Sequence, residues 1–314
     1  MINVAVIGLG NMGQHHAKAY SMLSESTLVA VCDPNRDRFD HIIKSADTVY
    51  VPTVDDLLAI PNLHAVSVCV PTRYHFDVSK QCLDAGLAVL VEKPIAETVQ
   101  QAKDLVNYAK TKDVLLTVGH IERFNPAIVR LKEWVDAGNL GALQTILCKR
   151  YGPFPKQIKD ANVLVDVAVH DIDIVQYLVG KAPIKSSVTT KRIHCRDRAD
   201  YGHLMLSYED GLYVDIYASW AFPYKERTIE LVGDKGVALV DCIAQTVQVY
   251  DVVPEKSADA VSLPLSAPRS LTIHKHEPII EECRAFILAY KNQQPPRICP
   301  EQATDALALA LTSS

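Results

Sequence analysis

The sequence lacks the features of membrane, nucleic-acid-binding and disulfide-rich proteins. No apolar run approaches the ~20 residues that a membrane-spanning helix requires. The formal net charge of -5 provides no basic surface for nucleic-acid phosphates, so we expect neither kind of partner. The 8 cysteines are scattered without a C-x-x-C pair, which argues against a zinc cage and a disulfide framework. No basic segment precedes the first apolar stretch, so we expect no signal peptide and a cytoplasmic protein.

A glycine-rich turn is the most informative feature that the sequence does have. The apolar segment 1–7 runs directly into Gly8-Leu9-Gly10-Asn11-Met12-Gly13. A dinucleotide needs this pattern, because Gly8 turns the chain, Gly10 lets the backbone approach a pyrophosphate and Gly13 brings the next helix close. An ordinary tight turn between a strand and a helix is the alternative. We expect the whole loop to bind the cofactor, Asn11 and Met12 included.

An acid stands where such a site requires one. Asp33 ends the next apolar strand, about 20 residues after the last glycine, where a carboxylate binds the adenosine ribose. The pattern therefore predicts NAD as the cofactor, while Arg36 and Arg38 close behind keep NADP as the less favoured alternative.

The chain changes character after about residue 121. Before it, short apolar runs rich in β-branched residues alternate with helical stretches, which predicts a doubly wound parallel sheet of the Rossmann type. After it, half-buried alternation and a hairpin turn at 209–211 predict an α+β domain with an open, mainly antiparallel sheet. We therefore predict an α/β fold with a cofactor-binding domain over 1–121 and a substrate-binding and oligomerisation domain over 122–314.

Two further loops follow predicted parallel strands, where ligand crevices form. Pro71, Thr72 and His75 come after the third run and are expected to line the cofactor, with a polar helix cap as the alternative. Glu92 and Lys93 come after the fourth, before a proline that could adopt a cis bond. A lysine there can stabilise a developing alkoxide, although a surface lysine before a turn is the other interpretation.

The second domain offers an acid and a histidine at helical spacing. Asp166 and His170 are four residues apart, so an α-helix would place them on one face, with Asp173 close to it. An acid beside a histidine orients the ring and supports its charged form, which makes His170 a candidate general base. An exposed helical ion pair is the alternative.

No metal site is predicted. The Asp166–His170 spacing lacks further ligands, and His274 and His276 lie in a polar loop that leads into a helix. We expect His15 and His16, just past the glycine loop, to be helix-surface or packing residues.

Together these motifs resemble the Gfo/Idh/MocA family of sugar oxidoreductases. The glycine loop, Glu92-Lys93-Pro94 and Asp166-x-x-x-His170 match its three main motifs in order and spacing, over nearly the whole chain. The resemblance implies that Lys93 and His170 act on the reacting hydroxyl with support from Asp166. It also implies a homodimer or homotetramer formed through the second-domain sheet.

Two stretches resemble the branch that acts on nucleotide sugars, UDP-N-acetylglucosamine 3-dehydrogenases in particular. These are 119–126, which contains Arg123, and 150–155, which contains Arg150 and Tyr151. The resemblance implies that these three residues bind substrate together with Lys93, Asp166 and His170. Arg123, Arg150 and Lys156 are cations available for a phosphorylated substrate.

The motifs and the resemblance together predict an NAD-dependent dehydrogenase, and the resemblance implies that it oxidises a secondary hydroxyl of a nucleotide sugar. The 3-hydroxyl of UDP-N-acetylglucosamine is the specific expectation from that resemblance. Two alternatives remain open: an inositol or other sugar dehydrogenase of the same family, and a sensor that binds NAD without turnover.

Overall fold

The computed structural model describes residues 1–43, 47–155, 161–252 and 266–312. They divide into two compact units. The first takes Met1–Ile121 and Glu277–Ala308. The second takes the described residues of Glu122–His276 and Leu309–Ser314.

The helices and strands are numbered along the chain. The elements up to residue 121 are β1 (Ile2–Ile7), α1 (Asn11–Met22), β2 (Ser26–Cys32), β3 (Val49–Val51), α2 (Val54–Leu58), β4 (Ala65–Val68), α3 (His75–Asp84), β5 (Ala88–Glu92), α4 (Val99–Lys112) and β6 (Leu116–Gly119). The following elements are α5 (Pro126–Asp136), β7 (Leu143–Pro153), α6 (Val169–Val179), β8 (Lys185–Lys191), β9 (Tyr201–Ser207), β10 (Tyr213–Ser219), β11 (Ala221–Gly233), β12 (Gly236–Asp241), β13 (Thr246–Asp251), β14 (Arg269–Ser270), α7 (Pro278–Asn292) and α8 (Pro300–Leu311). Short 3₁₀ turns lie at Arg36–His41, Thr72–Tyr74 and Ile121–Phe124.

The described strands of the first unit form a parallel sheet in the order β3-β2-β1-β4-β5-β6. Every residue of β4 and β5 is buried, because crossover helices cover both faces of such a sheet. The strand order reverses between β1 and β4, which opens a crevice at their carboxyl ends. The predicted doubly wound parallel sheet is confirmed.

Helix α7 packs in the first unit. Its buried residues Cys283, Phe286 and Ile287 join Ala17 and Tyr20 of α1 in one apolar cluster. The sequence predicted one continuous second domain over 122–314, whereas α7 belongs to the first unit. The reason is that the apolar face of α7 is buried against α1.

The described strands of the second unit form a mainly antiparallel sheet, as predicted, in the order β14-β13-β12-β11-β7-β10-β9-β8. Only the β7–β10 neighbours in this order run parallel. Side chains such as Cys148, Val214 and Ile216 bury one face of the sheet. Tyr213 and Met205 are exposed on neighbouring strands, so the other face carries aromatic and apolar surface.

Several elements of the second unit were not predicted. They are β7, which contains Gly and Pro, β8, which is polar, and β12, which starts at the glycine that the sequence assigned to a turn. The interpretation of 253–276 as a loop falls partly outside the described residues, and its described part contains β14. Within the described chain, none of the helices combines the length and the apolar character needed to cross a membrane.

Candidate active site

The glycine loop between β1 and α1 has the geometry that a dinucleotide requires. Gly8 has φ +90°, and a Cβ there would lie 2.7 Å from the Cys69 carbonyl oxygen. A Cβ on Gly13 would lie 1.8 Å from the Gly8 oxygen, so only glycine allows α1 to start this close to the turn. A Cβ on Gly10 would meet nothing within 4 Å, because the loop faces open space there. The exposed Asn11 and half-buried Met12 then begin α1, whose N-terminus favours a phosphate.

Asp33 is buried directly after β2 and is fixed to this loop. Its Oδ2 accepts hydrogen bonds from the Leu9 N–H (2.7 Å) and from Arg38 Nη1 (3.0 Å), and its Oδ1 accepts one from the Asn35 N–H (2.8 Å). These described bonds use three of about four acceptor positions on a carboxylate. One position therefore remains for a ribose hydroxyl, so the residues fit the cofactor.

The loop after β4 has a structural histidine. His75 is buried, and its Nδ1 and Nε2 each lie 2.8 Å from a carbonyl oxygen, of Pro94 and Val70 respectively. His75 thus joins the loop after β4 to the loop after β5. This geometry favours a positioning role for His75. Two other residues of the loop are more accessible, since Pro71 is exposed and Thr72 is half-buried.

Glu92 and Lys93 lie at the carboxyl end of β5, next to this loop. The Lys93–Pro94 bond is cis, as the sequence suggested, and Lys93 is half-buried. Glu92 is buried, and its Oε2 accepts a hydrogen bond from the Lys93 backbone N–H at 3.1 Å. Burial raises the pKa of Glu92, but the hydrogen bond and charge of His16, together with Lys93, outweigh it, and the pKa is lowered.

The partner of Glu92 is a residue to which the sequence assigned no chemical role. His16 of α1 is fully buried, with Nε2 at 2.9 Å from Glu92 Oε1 and Nδ1 at 3.1 Å from Ser67 Oγ. The Ser67 hydroxyl in turn lies 2.7 Å from the Tyr20 hydroxyl. The spacing of Gly13, His16 and Tyr20 was the available signal, since all three lie on the face of α1 turned toward the sheet.

His16, Glu92 and Glu282 form a buried group whose ligand-capable atoms lie within 4.8 Å of one another. Among the residues that the structure describes, no other three His, Cys, Asp or Glu side chains come this close together. Both oxygens of Glu92 already accept hydrogen bonds, from His16 and from the Lys93 N–H. We therefore interpret His16 and Glu92 as part of a hydrogen-bonded network.

In the second unit, Asp166 and His170 lie where two kinds of helix meet. Leu164–Ala168 form a π-helical turn, which continues into α6. Asn162 Oδ1 starts this turn by accepting hydrogen bonds from the backbone N–H groups of Leu164 and Val165. The segment from Asp166 to His170 therefore spans a π turn and the first turn of α6, rather than one regular α-helix. Both side chains are partly accessible, and π turns are frequent at functional sites.

Two buried arginines clamp the residues that follow His170. The Arg150 guanidinium donates two hydrogen bonds to Asp171, at 2.9 and 2.8 Å. The Arg123 guanidinium donates two to Asp173, at 2.8 and 2.7 Å. Arg123 and Arg150 are only 2% and 5% exposed. The geometry favours a positioning role for both arginines over the substrate contact expected from the sequence.

Glu122 completes the cluster around Arg150. Its Oε1 accepts a hydrogen bond from Arg150 Nη1 at 2.8 Å and lies 3.5 Å from Arg227 Nη1. Burial raises the pKa of Glu122, but the charge of Arg150 outweighs it and the pKa is lowered. At Asp171 the effect of burial is the larger one, so the pKa of Asp171 is raised although the charge and hydrogen bonds of Arg150 lower it.

Tyr151 follows Arg150 on β7, so its side chain projects from the opposite face of the sheet to the buried cluster. Its ring stacks on Phe222 at a centroid distance of 4.3 Å, and burial raises its pKa to about 12. The phenol is therefore neutral at physiological pH and can donate a hydrogen bond. Lys156, the third predicted cation, lies outside the described residues.

The two units also match known protein families. Residues 2–120 match the oxidoreductase family with an NAD-binding Rossmann fold, and residues 128–239 match the GFO/IDH/MocA C-terminal domain. The chain belongs to the Gfo/Idh/MocA oxidoreductase family. It is therefore an oxidoreductase with an NAD-binding fold, and the resemblance inferred from its motifs is confirmed.

Members of this family with different substrates are similar to the chain. UDP-N-acetylglucosamine 3-dehydrogenase of Acidithiobacillus ferrooxidans is 27% identical over 296 residues, covering 94% of this chain and 90% of that protein. Its solved structure has a TM-score of 0.87 at 26% identity and covers 99% and 95% of the two chains. Myo-inositol 2-dehydrogenase of Thermotoga maritima is 25% identical over 322 residues, covering 98% and 94%.

Proposed function

We propose that this protein is an NAD-dependent dehydrogenase that oxidises the 3-hydroxyl of UDP-N-acetylglucosamine. The observation that carries the proposal is the similarity to the Acidithiobacillus enzyme over nearly the full length of both chains. The stretches around Arg123 and Arg150, which resemble the nucleotide-sugar branch, support it from the sequence.

His170 takes the proton of the reacting hydroxyl, and Asp166 supports the charged imidazole. Lys93 donates to the same oxygen and stabilises the negative charge that develops there. NAD, when bound, supplies the hydride acceptor, and the chain orients it and excludes water. A general base contributes about 10²- to 10⁴-fold, so neither side chain alone accounts for the rate.

The cofactor is held by the loop from Gly8 to Gly13, by Asp33 and by the loops at 71–75 and 92–93. The open space at Gly10 and the remaining acceptor position of Asp33 support NAD. The negative charge of Asp33 disfavours the 2′-phosphate of NADP, although Arg38 neutralises part of that charge.

The rest of the substrate provides binding energy away from the reacting carbon. The two arginine clamps keep the chain around His170 rigid, which favours a fixed geometry for the 3-hydroxyl. Free N-acetylglucosamine is then a poor substrate in kcat as well as in KM.

The protein forms a homodimer or homotetramer through the accessible face of the second-unit sheet. Tyr213 is 52% exposed there, and His203 stacks on Tyr217 at 4.3 Å on neighbouring strands. Aromatic side chains of this kind are enriched at protein interfaces. All 8 cysteines are free thiols, which supports a cytoplasmic location.

An inositol dehydrogenase is the second candidate, because the Thermotoga enzyme is similar over nearly the full length of the chain. A sensor that binds NAD without turnover is the third. Lys93 and His170 argue against a sensor, since binding alone requires neither residue.

Turnover separates these candidates. The purified protein is incubated with NAD or NADP and with UDP-N-acetylglucosamine, N-acetylglucosamine or myo-inositol, and the absorbance of the reduced cofactor is followed. We expect the UDP-sugar to react fastest. Faster turnover of inositol would contradict the nucleotide-sugar proposal alone, whereas no turnover with any sugar and either cofactor would favour the sensor.

A further inference from the structure

We propose that His16 is a positioning residue of the active site, which holds Glu92 and through it the backbone of Lys93. The proposal rests on the proposed function in one respect, since it takes Lys93 to be catalytic. The contact itself is a property of the first unit alone.

The first step is the bond between His16 and Glu92. An ionised carboxylate only accepts hydrogen bonds, so His16 Nε2 donates to Glu92 Oε1 across 2.9 Å. His16 is fully buried and Glu92 is 6% exposed. A charge-assisted hydrogen bond in such surroundings is stronger than a neutral one at the surface.

The second step is what fixes the imidazole ring. The Ser67 hydroxyl lies 3.1 Å from Nδ1, and the Tyr20 hydroxyl lies 2.7 Å from Ser67. The Cys283 thiol of α7 approaches the same nitrogen at 3.6 Å. Residues of α1, β4 and α7 therefore determine the ring orientation, and the ring determines the position of the carboxylate.

The third step leads from the carboxylate to Lys93. Glu92 Oε2 accepts the Lys93 backbone N–H at 3.1 Å. On another side, a Cβ on Gly119 would lie 3.1 Å from Glu92 Cδ and Oε1, so β6 leaves the carboxylate little room. The carboxylate is thus held between His16, Gly119 and the backbone that presents the lysine. A shift of about 1 Å in a catalytic group can cost 10²-fold in rate.

Hydrogen exchange at one amide tests the contact without substrate or cofactor. Exchange of the Lys93 amide is measured by mass spectrometry or NMR in the whole protein. His16→Ala should accelerate it about tenfold, as expected for the loss of a hydrogen bond worth ~1.4 kcal/mol. His16→Gln, whose amide can reach the position of Nε2, should restore most of the protection. His15→Ala is the matched control, because His15 is the exposed neighbour on the same helix.

A general loosening of the fold must be distinguished from this local effect. Leu57→Ala removes a fully buried side chain of α2 and should lower the melting temperature without a selective change at the Lys93 amide. Equal acceleration at that amide in Leu57→Ala and His16→Ala would contradict the proposal. Unchanged protection in His16→Ala would overturn it outright.

Kinetics then test the catalytic consequence. With the best sugar substrate, His16→Ala should lower kcat by about 10- to 100-fold while KM and the Kd for NAD change less than about threefold. A change in KM alone would contradict positioning of Lys93. If the wild-type protein turns over no sugar, the proposed function fails, and the exchange result still decides the contact.

Chelation separates the network from a metal site. EDTA should leave both Lys93 exchange and activity unchanged in the wild-type protein. Faster exchange after EDTA that Zn²⁺ reverses would assign His16, Glu92 and Glu282 to a metal site and would overturn the proposal.

Discussion

The Arg150 guanidinium holds the Asp171 carboxylate by two hydrogen bonds of 2.8 and 2.9 Å. Asp171 is the residue after His170, so the clamp acts on the backbone turn that presents the proposed base. Arg150 also binds Glu122, and one cation therefore serves two buried carboxylates. Breaking such a pair costs more than its formation contributes, since an unpaired charge remains in a low-dielectric environment.

The first prediction concerns the contribution of Arg150 to the stability of the fold. Arg150→Met should lower the free energy of unfolding by about 3–5 kcal/mol, because Glu122 and Asp171 lose their shared partner. Arg130→Met is the matched control: Arg130 pairs with Glu133 at the surface of α5, and the loss should be about 1 kcal/mol or less. Urea unfolding of both variants checks the difference. Equal losses would mean that the buried cluster contributes no more than a surface pair.

The second prediction concerns the stability of the folded protein at acidic pH. The pKa of Glu92 is lowered in the folded protein, so its contribution to stability is present above its ordinary value of 4.5 and is lost as the pH falls through the lower folded value. Glu92→Gln cannot titrate. The difference in unfolding free energy between wild type and Glu92→Gln should therefore shrink between about pH 5 and pH 3. A constant difference across that range would show that Glu92 has no lowered pKa.

The third prediction concerns Lys93. Its interaction strengthens as the substrate oxygen becomes anionic, so Lys93→Ala should lower kcat by about 10²- to 10³-fold. The Kd for NAD should change much less. Lys80→Ala is the control, because Lys80 is exposed on α3 of the same unit. Near-normal kcat in Lys93→Ala would remove the lysine from the active site.

The sequence predicted best what depends on neighbouring residues. The glycine loop and Asp33 have the predicted places, because the strand, turn and acid lie in one continuous segment. Strands buried on both faces, such as β4 and β5, were found because their residues are apolar or small up to Glu92 at the end of β5. The polar edge strand β8 was missed, because its solvated residues carry little signal of burial.

The supporting contacts could not be predicted in this way. His16 is 76 residues from Glu92, and Arg123 is 50 residues from Asp173. The residues next to an arginine in the sequence do not show whether its side chain is buried in an ion pair or accessible to a ligand. Arg123 and Arg150 were therefore interpreted as cations available for a phosphate. Burial decides their role, and burial depends on tertiary packing.

The fourth prediction concerns assembly. Tyr213→Asp should weaken the proposed oligomer, because a carboxylate on the face that becomes buried must lose its water on association. Ile243→Asp is the control, since Ile243 is similarly exposed in the turn that follows β12. Light scattering at micromolar concentration checks both variants. A monomeric wild-type protein would contradict oligomerisation through this face.

The fifth prediction concerns the opposite effects of Asp33 and Arg38 on the choice between NAD and NADP. Asp33 repels the 2′-phosphate of NADP, and Arg38, at 3.0 Å from its Oδ2, offsets part of that repulsion. Asp33→Asn should therefore reduce the preference for NAD over NADP by about tenfold, equivalent to ~1.4 kcal/mol. Arg38→Ala should increase the preference for NAD, because no arginine then offsets the repulsion between Asp33 and the 2′-phosphate.

Ratios of kcat/KM for the two cofactors measure the preference in each variant. Arg36→Ala is the control: the Arg36 guanidinium lies 5.1 Å above the Tyr50 ring, and its removal should change the ratio less than that of Arg38. If Arg38→Ala and Asp33→Asn shift the ratio in the same direction, the two charges do not oppose each other at the ribose. Equal or better turnover of the wild-type protein with NADP would contradict the assignment of Asp33 to the ribose hydroxyls.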